Sequence, residues 1–260
     1  MPKLAVATVL VTGGTGCLGR ALVPKLLAAG HVVRVLSRSD AAEVGAATLV
    51  TGDLTSGDGI GAALDGAEVV VHAASSPFRR TNETDVAGTA RLLEAAADAG
   101  VGHLLYTSIV GVDRHPFRYY RAKWAAEQIV EAGAVPWTIA RATQFHDLLD
   151  QGLARVTRLP VVPVAAGFVF QPVDTAEYAD VVIALVADGP AGRAPDTGGP
   201  EVRAFRDLVR TWLRAHGRRR PTLPLPLIGK SARAMKDGVH TCPERAVGTV
   251  TWEEYLARSG

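Results

Sequence analysis

Ser108, Tyr119 and Lys123 have the types and spacing for handling a proton at a carbonyl or alcohol oxygen. Tyr119 and Lys123 form Y-x-x-x-K. Residues four apart share one helix face, so both side chains can serve one site. A lysine ammonium beside a tyrosine stabilises the phenolate and lowers the tyrosine pKa towards working pH. That tyrosine can pass a proton to or from a substrate oxygen while a hydride moves at the adjoining carbon. Ser108, in TSIVG after the expected fifth strand, can hold the same oxygen by a hydrogen bond. Alone, Y-x-x-x-K is common and usually structural. Tyr120 competes with Tyr119, but it stands three residues from Lys123 and can simply pack.

The hydride needs a carrier, and residues 9–20, VLVTGGTGCLGR, suit one. An apolar run starts near Leu4 and closes at Leu10 and Val11. Gly13, Gly14, Gly16 and Gly19 follow, and then ALVPKLLAAG, apolar at helical spacing and ended by Gly30. Gly14, Gly16 and Gly19 fit G-x-G-x-x-G; Gly13, Gly16 and Gly19 fit the looser G-x-x-G-x-x-G. In a strand–turn–helix unit such glycines allow a tight turn, close approach of main chain to pyrophosphate, and packing of helix on strand. The helix start adds free N–H groups and a partial positive charge. Thr15, Cys17 and Leu18 complete the cofactor-binding turn. Gly13 and Gly16 are expected at positive φ with no room for a Cβ.

The end of the second strand selects the dinucleotide. An NAD site usually has an acid there, about 20 residues past the glycines. Here Ser37 and Arg38 stand instead. Ser37 can donate to a 2′-phosphate and Arg38 can pair with it, so NADP is preferred and NAD is less favoured. The competing reading leaves Arg38 in solvent and gives the ribose to Asp40. Asp53, followed by Leu54, can accept from the adenine amino group or can cap a turn. Ala73 and Ala74 let the ribose lie against main chain, with Ser75 on the substrate side; His72 reads as a packed histidine. Beyond the sixth strand, Thr143, Gln144, Phe145 and His146 are expected at the pocket rim, because ligands lie past the carboxyl ends of such strands. Gln144 can bond a cofactor amide or the substrate, Phe145 can wall the pocket, and His146 is a candidate extra acid or base, more often a loop or capping residue.

Strands and helices alternate through the first half. Strands are expected at 31–36, 46–50, 67–72, 101–107 and 136–140, and helices at 60–64, 84–99 and 119–132. This rhythm implies an α/β fold, a doubly wound parallel sheet. The dinucleotide-binding core spans 1–141, and 142–260 completes the sheet and adds a small C-terminal substrate lobe. In that second part, 161–173 reads as short strands and turns, 176–187, 205–215 and 252–256 as helices, and proline-rich 221–226 as an extended surface segment.

With 260 residues, 48% of them hydrophobic, the chain can bury a large core. A net charge of +2 gives no signature for nucleic acid or a membrane surface. Arg214, Arg218, Arg219 and Arg220 read as a solvated helix end. Cys17 and Cys242 read as free thiols, which places the chain in the cytosol. No stretch approaches the ~20 apolar residues of a membrane helix. No His, Cys and Asp grouping has metal-ligand spacing, so no metal is expected. The expected partner is a small-molecule substrate, and the expected state is a monomer or homodimer.

The chain resembles the short-chain dehydrogenase/reductase superfamily, in its atypical, NmrA-like NAD(P)-binding branch. The resemblance rests on TGGTGCLG (12–19), Gly52-Asp53-Leu54, Ser108-Ile109-Val110-Gly111, YYRAK (119–123), RATQFHD (141–147), FQPVD (170–174) and GGPE (198–201). It implies a Rossmann core and an NAD(P)-dependent oxidoreductase. Tyr119 would then be the proton donor, Lys123 would bind the nicotinamide ribose and tune Tyr119, and Ser108 would position the substrate carbonyl. One departure is Asp85, in TDVAGT, where the family often has Asn. It alters any water-linked proton relay. Some members of the branch bind NADP as redox sensors without the tyrosine, and extended relatives use the same parts as epimerases.

Overall fold

The computed structural model describes residues 6–77 and 79–259. Leu4, where the first apolar run was expected to start, lies outside them. The described residues divide into two compact units: one within Met1–Ser108, Arg118–Ala140 and Ala179–Ala194, the other within Ile109–Phe117, Arg141–Tyr178 and Pro195–Gly260.

In chain order the first unit carries β1 (Thr8–Thr12), α1 (Cys17–Ala28), β2 (Val32–Ser37), β3 (Thr48–Thr51), α2 (Ile60–Leu64) and β4 (Val69–His72). A π-helical turn, Asn82–Ala87, runs into α3 (Gly88–Asp98), followed by β5 (His103–Ile109), α4 (Arg118–Ala132) and β6 (Trp137–Ala142). The later elements are α5 (His146–Val156), β7 (Val162–Ala165), β8 (Val169–Phe170), α6 (Thr175–Asp188), β9 (Gly192–Arg193), β10 (Arg203–Ala204), α7 (Phe205–Ala215), β11 (Thr222–Leu225), α8 (Lys230–Lys236) and α9 (Trp252–Ser259).

One seven-stranded sheet runs β3-β2-β1-β4-β5-β6-β9. Its pairs β1–β2, β1–β4, β2–β3, β4–β5 and β6–β9 are parallel. The strand order reverses between β1 and β4, and ligands of open α/β sheets lie outside the carboxyl ends at such a reversal. β4 is buried at all four positions, as a strand covered on both faces must be. Leu10, Val70, Leu104 and Ile139 pack with Leu64, Leu92 and Val130 in the first core. Each such side chain contributes roughly 1.5–3 kcal/mol on burial.

The second unit has its own core. Leu153 of α5, Val162 and Val164 of β7, Leu208, Val209 and Trp212 of α7, and Trp252 and Leu256 of α9 form it. The proline-rich segment is not merely surface chain: β11 pairs in parallel with β7, Thr222 against Val162. The helices α5 and α8 and the two-residue strands β9 and β10 have no counterpart in the sequence reading. Of the arginine cluster, Arg218 bonds Thr157 Oγ1 at 3.1 Å and lies over the Trp212 ring.

Candidate functional site

The glycine turn connects β1 to α1 and lies at the carboxyl end of the sheet. Gly13 has φ +72°, and a Cβ there would sit 2.6 Å from Ala74 N and 2.7 Å from Ala73 C. The turn and the end of β4 therefore touch through main chain. A Cβ on Gly19 would lie 2.3 Å from Gly13 O, which presses α1 against the turn. Gly16 differs from expectation. Its φ is −77°, and the only atom near its Cβ would be Gly13 O at 3.1 Å. It is exposed, so its free side faces solvent, with room for a phosphate. Gly16 at the α1 N-terminus makes no side-chain cap, and the partial positive charge of this helix start suits an anion. This cradle fits a dinucleotide pyrophosphate. Leu18 and Leu54 are buried, so their side chains are withdrawn from a ligand.

At the second-strand end, Ser37 Oγ accepts from Ser39 N at 3.2 Å, and Arg38 is exposed. Asp53 Oδ1 accepts from Thr55 N at 2.8 Å and from Thr55 Oγ1 at 2.9 Å, closing a local turn. The Thr55 amide holds the Asp53 carboxyl below its usual value, and the Arg38 charge adds to this.

Beyond β4, three side chains join in a chain of hydrogen bonds. Ser75 Oγ donates to Asp85 Oδ1 at 2.5 Å and lies 2.7 Å from Tyr119 Oη. A serine has one hydroxyl proton, so Tyr119 is the donor in the second bond. Asp85 Oδ2 accepts from Ser76 N at 2.9 Å, and Asp85 is only 1% exposed. Burial raises the Tyr119 pKa above its ordinary value; the bond to Ser75 opposes this and the Asp85 charge adds to it.

Lys123 does not reach Tyr119 in the expected way. Its Nζ donates to Thr107 O at 2.7 Å and sits 4.1 Å from the Tyr106 ring centroid. Burial lowers its pKa to about 8, against the charges of Asp85 and Glu127. Ser108 lies within β5 rather than after it. Its Oγ is buried and has no hydrogen-bond partner. Tyr120 packs edge-on against Tyr119.

Sequence reasoning missed the support beneath this cluster. Thr89 Oγ1 donates to Asp85 O at 2.6 Å and lies 2.9 Å from His72 Nε2. His72 Nδ1 lies 2.6 Å from Thr12 Oγ1. Since Thr89 spends its proton on Asp85 O, His72 carries its proton on Nε2 and accepts from Thr12. Burial lowers the His72 pKa to about 3, so it stays neutral. The network ties β1, β4 and α3 to the turn that carries Asp85. Residues 85 and 89 stand one helical turn apart, but no sequence spacing links them to 12 and 72.

The expected rim residues belong to the second unit. Gln144 Nε2 donates to His240 O and its Oε1 accepts from Gln171 N, so both ends are engaged by the chain itself. Phe145 packs on Tyr178. His146 is not a rim or loop residue: it opens α5, is 0% exposed, and stacks on Trp252 and Tyr255. Its Nε2 lies 3.1 Å from Val250 O, and burial lowers its pKa. The stacked rings keep solvent and substrate from it.

Comparison with known proteins covers parts of both units. The profile of the NAD(P)H-binding family matches residues 13–189. A Streptomyces griseus relative, (4-alkanoyl-5-oxo-2,5-dihydrofuran-3-yl)methyl phosphate reductase, is 31% identical over 219 residues, 81% of this chain and 74% of that protein. An uncharacterised Mycobacterium bovis protein is 30% identical over 203 residues, 77% of this chain; the chain spans only 20% of that protein's length. Among solved structures, an Escherichia coli NADPH-dependent quinone oxidoreductase complexed with NADPH superposes with a TM-score of 0.79 at 18% identity, covering 96% of this chain and 99% of that one. A short-chain dehydrogenase/reductase superfamily protein from Agrobacterium tumefaciens with bound NAD gives 0.74 at 21% identity, covering 97% and 95%. These two show the fold alone. The chain belongs to the NAD(P)H-binding family, with the Rossmann fold of the short-chain dehydrogenase/reductase superfamily.

Proposed function

We propose that the chain transfers a hydride between NADP(H) and the carbonyl/alcohol pair of a small organic substrate. The observation that carries this reading is the buried, unpartnered Ser108 Oγ, on the strand whose Thr107 carbonyl holds Lys123. A buried hydroxyl without a partner costs free energy, and a substrate oxygen would supply the missing bond. The name of the Streptomyces relative, a reductase, supports the redox class.

When bound, the dinucleotide supplies or takes up the hydride. The chain's part is to bind and to move a proton. Main chain of Gly13, Thr15, Gly16, Cys17, Leu18 and Gly19 holds the pyrophosphate. Ser37 and Arg38 take the 2′-phosphate, which favours NADP over NAD. Asp53 and Leu54 border the adenine, and Ala73 and Ala74 border the ribose. Lys123, half-way to neutrality at about pH 8, donates to ribose hydroxyls. Ser108 holds the substrate oxygen and Tyr119 exchanges a proton with it. The second unit serves as the substrate lobe. Neither cysteine is in a disulfide, which supports a reducing, cytosolic setting.

The test is NADPH consumption with a panel of aldehydes, ketones, quinones and unsaturated lactones, and NADP⁺ reduction with a matching panel of alcohols. Turnover with NADPH ahead of NADH supports the reading. No turnover above a protein-free control by a chain that binds NADPH would overturn it.

A further inference from the structure

The geometry points to Asp85 as the terminal proton acceptor for Tyr119, reached through the Ser75 hydroxyl. This rests on the hydride-transfer reading above and deepens it. The bonds already run in one direction: Tyr119 Oη donates to Ser75 Oγ, and Ser75 Oγ donates to Asp85 Oδ1 at 2.5 Å. With its proton turned to Ser75, Tyr119 presents only lone pairs to an incoming alcohol. The charge that the sequence leads one to expect on Tyr119, from Lys123, is directed at Thr107 O and the Tyr106 ring instead. Burial keeps Tyr119 protonated, so a phenolate is not the resting base. The carboxylate two hydrogen bonds away is.

In the oxidative direction the substrate O–H proton passes to Tyr119 Oη. The Tyr119 proton passes to Ser75 Oγ, and the Ser75 proton to Asp85 Oδ1. The C–H electron pair leaves with the hydride to the oxidised dinucleotide, and the O–H pair becomes the carbonyl π bond. The net result is one proton moved from substrate to Asp85, which ends as the neutral acid. Reduction runs the same path backwards from protonated Asp85. An asparagine at this position has no site for that proton. The charged or titratable groups that act on or answer to Asp85 are Lys123 and Tyr119 of α4 and Tyr106 of β5. Asp85 acts through Ser75 and Tyr119, so its role is that of a positioning and relay residue.

Two measurements test it. The first is alkaline tyrosinate absorbance of the ligand-free chain, with Tyr119→Phe to assign the signal. Asp85→Asn is expected to bring Tyr119 ionisation down by one pH unit or more; an unchanged titration overturns the coupling. The second is alcohol oxidation under saturating NADP⁺. Asp85→Asn and Ser75→Ala are each expected to lower kcat by about 100-fold or more, with NADPH affinity unchanged. Asp85→Glu is expected to restore part of the lost kcat. Either variant within threefold of the parent kcat overturns the relay. A parent chain that binds NADPH but oxidises and reduces nothing overturns the hydride-transfer reading, while the titration still decides the Tyr119–Asp85 coupling.

Discussion

The glycine turn follows β1 and the Ser75–Asp85–Tyr119 cluster lies beyond β4, at the carboxyl end of neighbouring central strands, but they are held by different forces. The turn is main chain packed against main chain, with Gly13 on Ala73 and Ala74 and Gly19 on Gly13. The cluster is a set of side-chain hydrogen bonds around one buried carboxylate. Volume therefore governs the first and proton or charge placement the second. A methyl group at Gly13 or Gly19 breaks the turn, whereas the cluster can be altered by replacing one oxygen with nitrogen.

The largest effect should come from the turn. Gly19→Val sets a Cβ 2.3 Å from Gly13 O, and overpacking of this kind costs about 3 kcal/mol or more. Urea unfolding is expected to show that loss together with loss of NADPH binding. Gly16→Val separates the two properties, because only Gly13 O lies near its Cβ. NADPH affinity should fall at least about 100-fold while stability stays within about 1 kcal/mol, since the added bulk meets the ligand and not the protein. Titration of NADPH fluorescence beside a thermal melt checks this; tight binding by Gly16→Val would show that the turn serves packing alone.

The cluster should answer to pH instead. Lys123 has a folded pKa of about 8 against an ordinary 10.5. Between these values the unfolded chain holds a proton that the folded chain has released, so stability rises with pH there by up to about 1.4 kcal/mol per unit. The gain is complete above the unfolded value and is lost as pH falls through about 8. Burial pushes the Cys242 thiol from 9 up to about 12, which opposes this rise above pH 9, so the Lys123 contribution is read between about pH 8 and 9 as the difference between the urea midpoints of the parent and of Lys123→Met. The smallest effect belongs to the exposed Arg38. If Arg38 takes the 2′-phosphate as proposed, one such charge-assisted bond is worth about 1 kcal/mol, so Arg38→Ala should weaken NADPH several-fold and leave NADH unchanged.

The same division decides what was legible in the sequence. The turn could be read because its constraint is local: glycines at fixed offsets between an apolar run and a helical period. The core strands could be read because burial on both faces leaves runs such as Val69–Val71. Ser75 and Asp85 were each visible as residues, but their contact depends on how the π-helical turn folds back under β4. His146 looked like a loop residue because nothing near it in sequence announces Trp252 and Tyr255. The pairing of β11 with β7 was hidden for the same reason, with prolines suggesting a loop where a parallel partner 60 residues away completes a strand.

The measurement closest to the central claim is single-turnover hydride transfer by Tyr119→Phe under saturating NADPH. The ring and its packing on Tyr120 remain, and only the hydroxyl that meets Ser75 is lost. The account predicts a rate lower by about 10²–10⁴-fold with NADPH affinity unchanged. A rate equal to the parent's, with the variant fully folded and loaded, would contradict the assignment of Tyr119 as the proton-exchanging group.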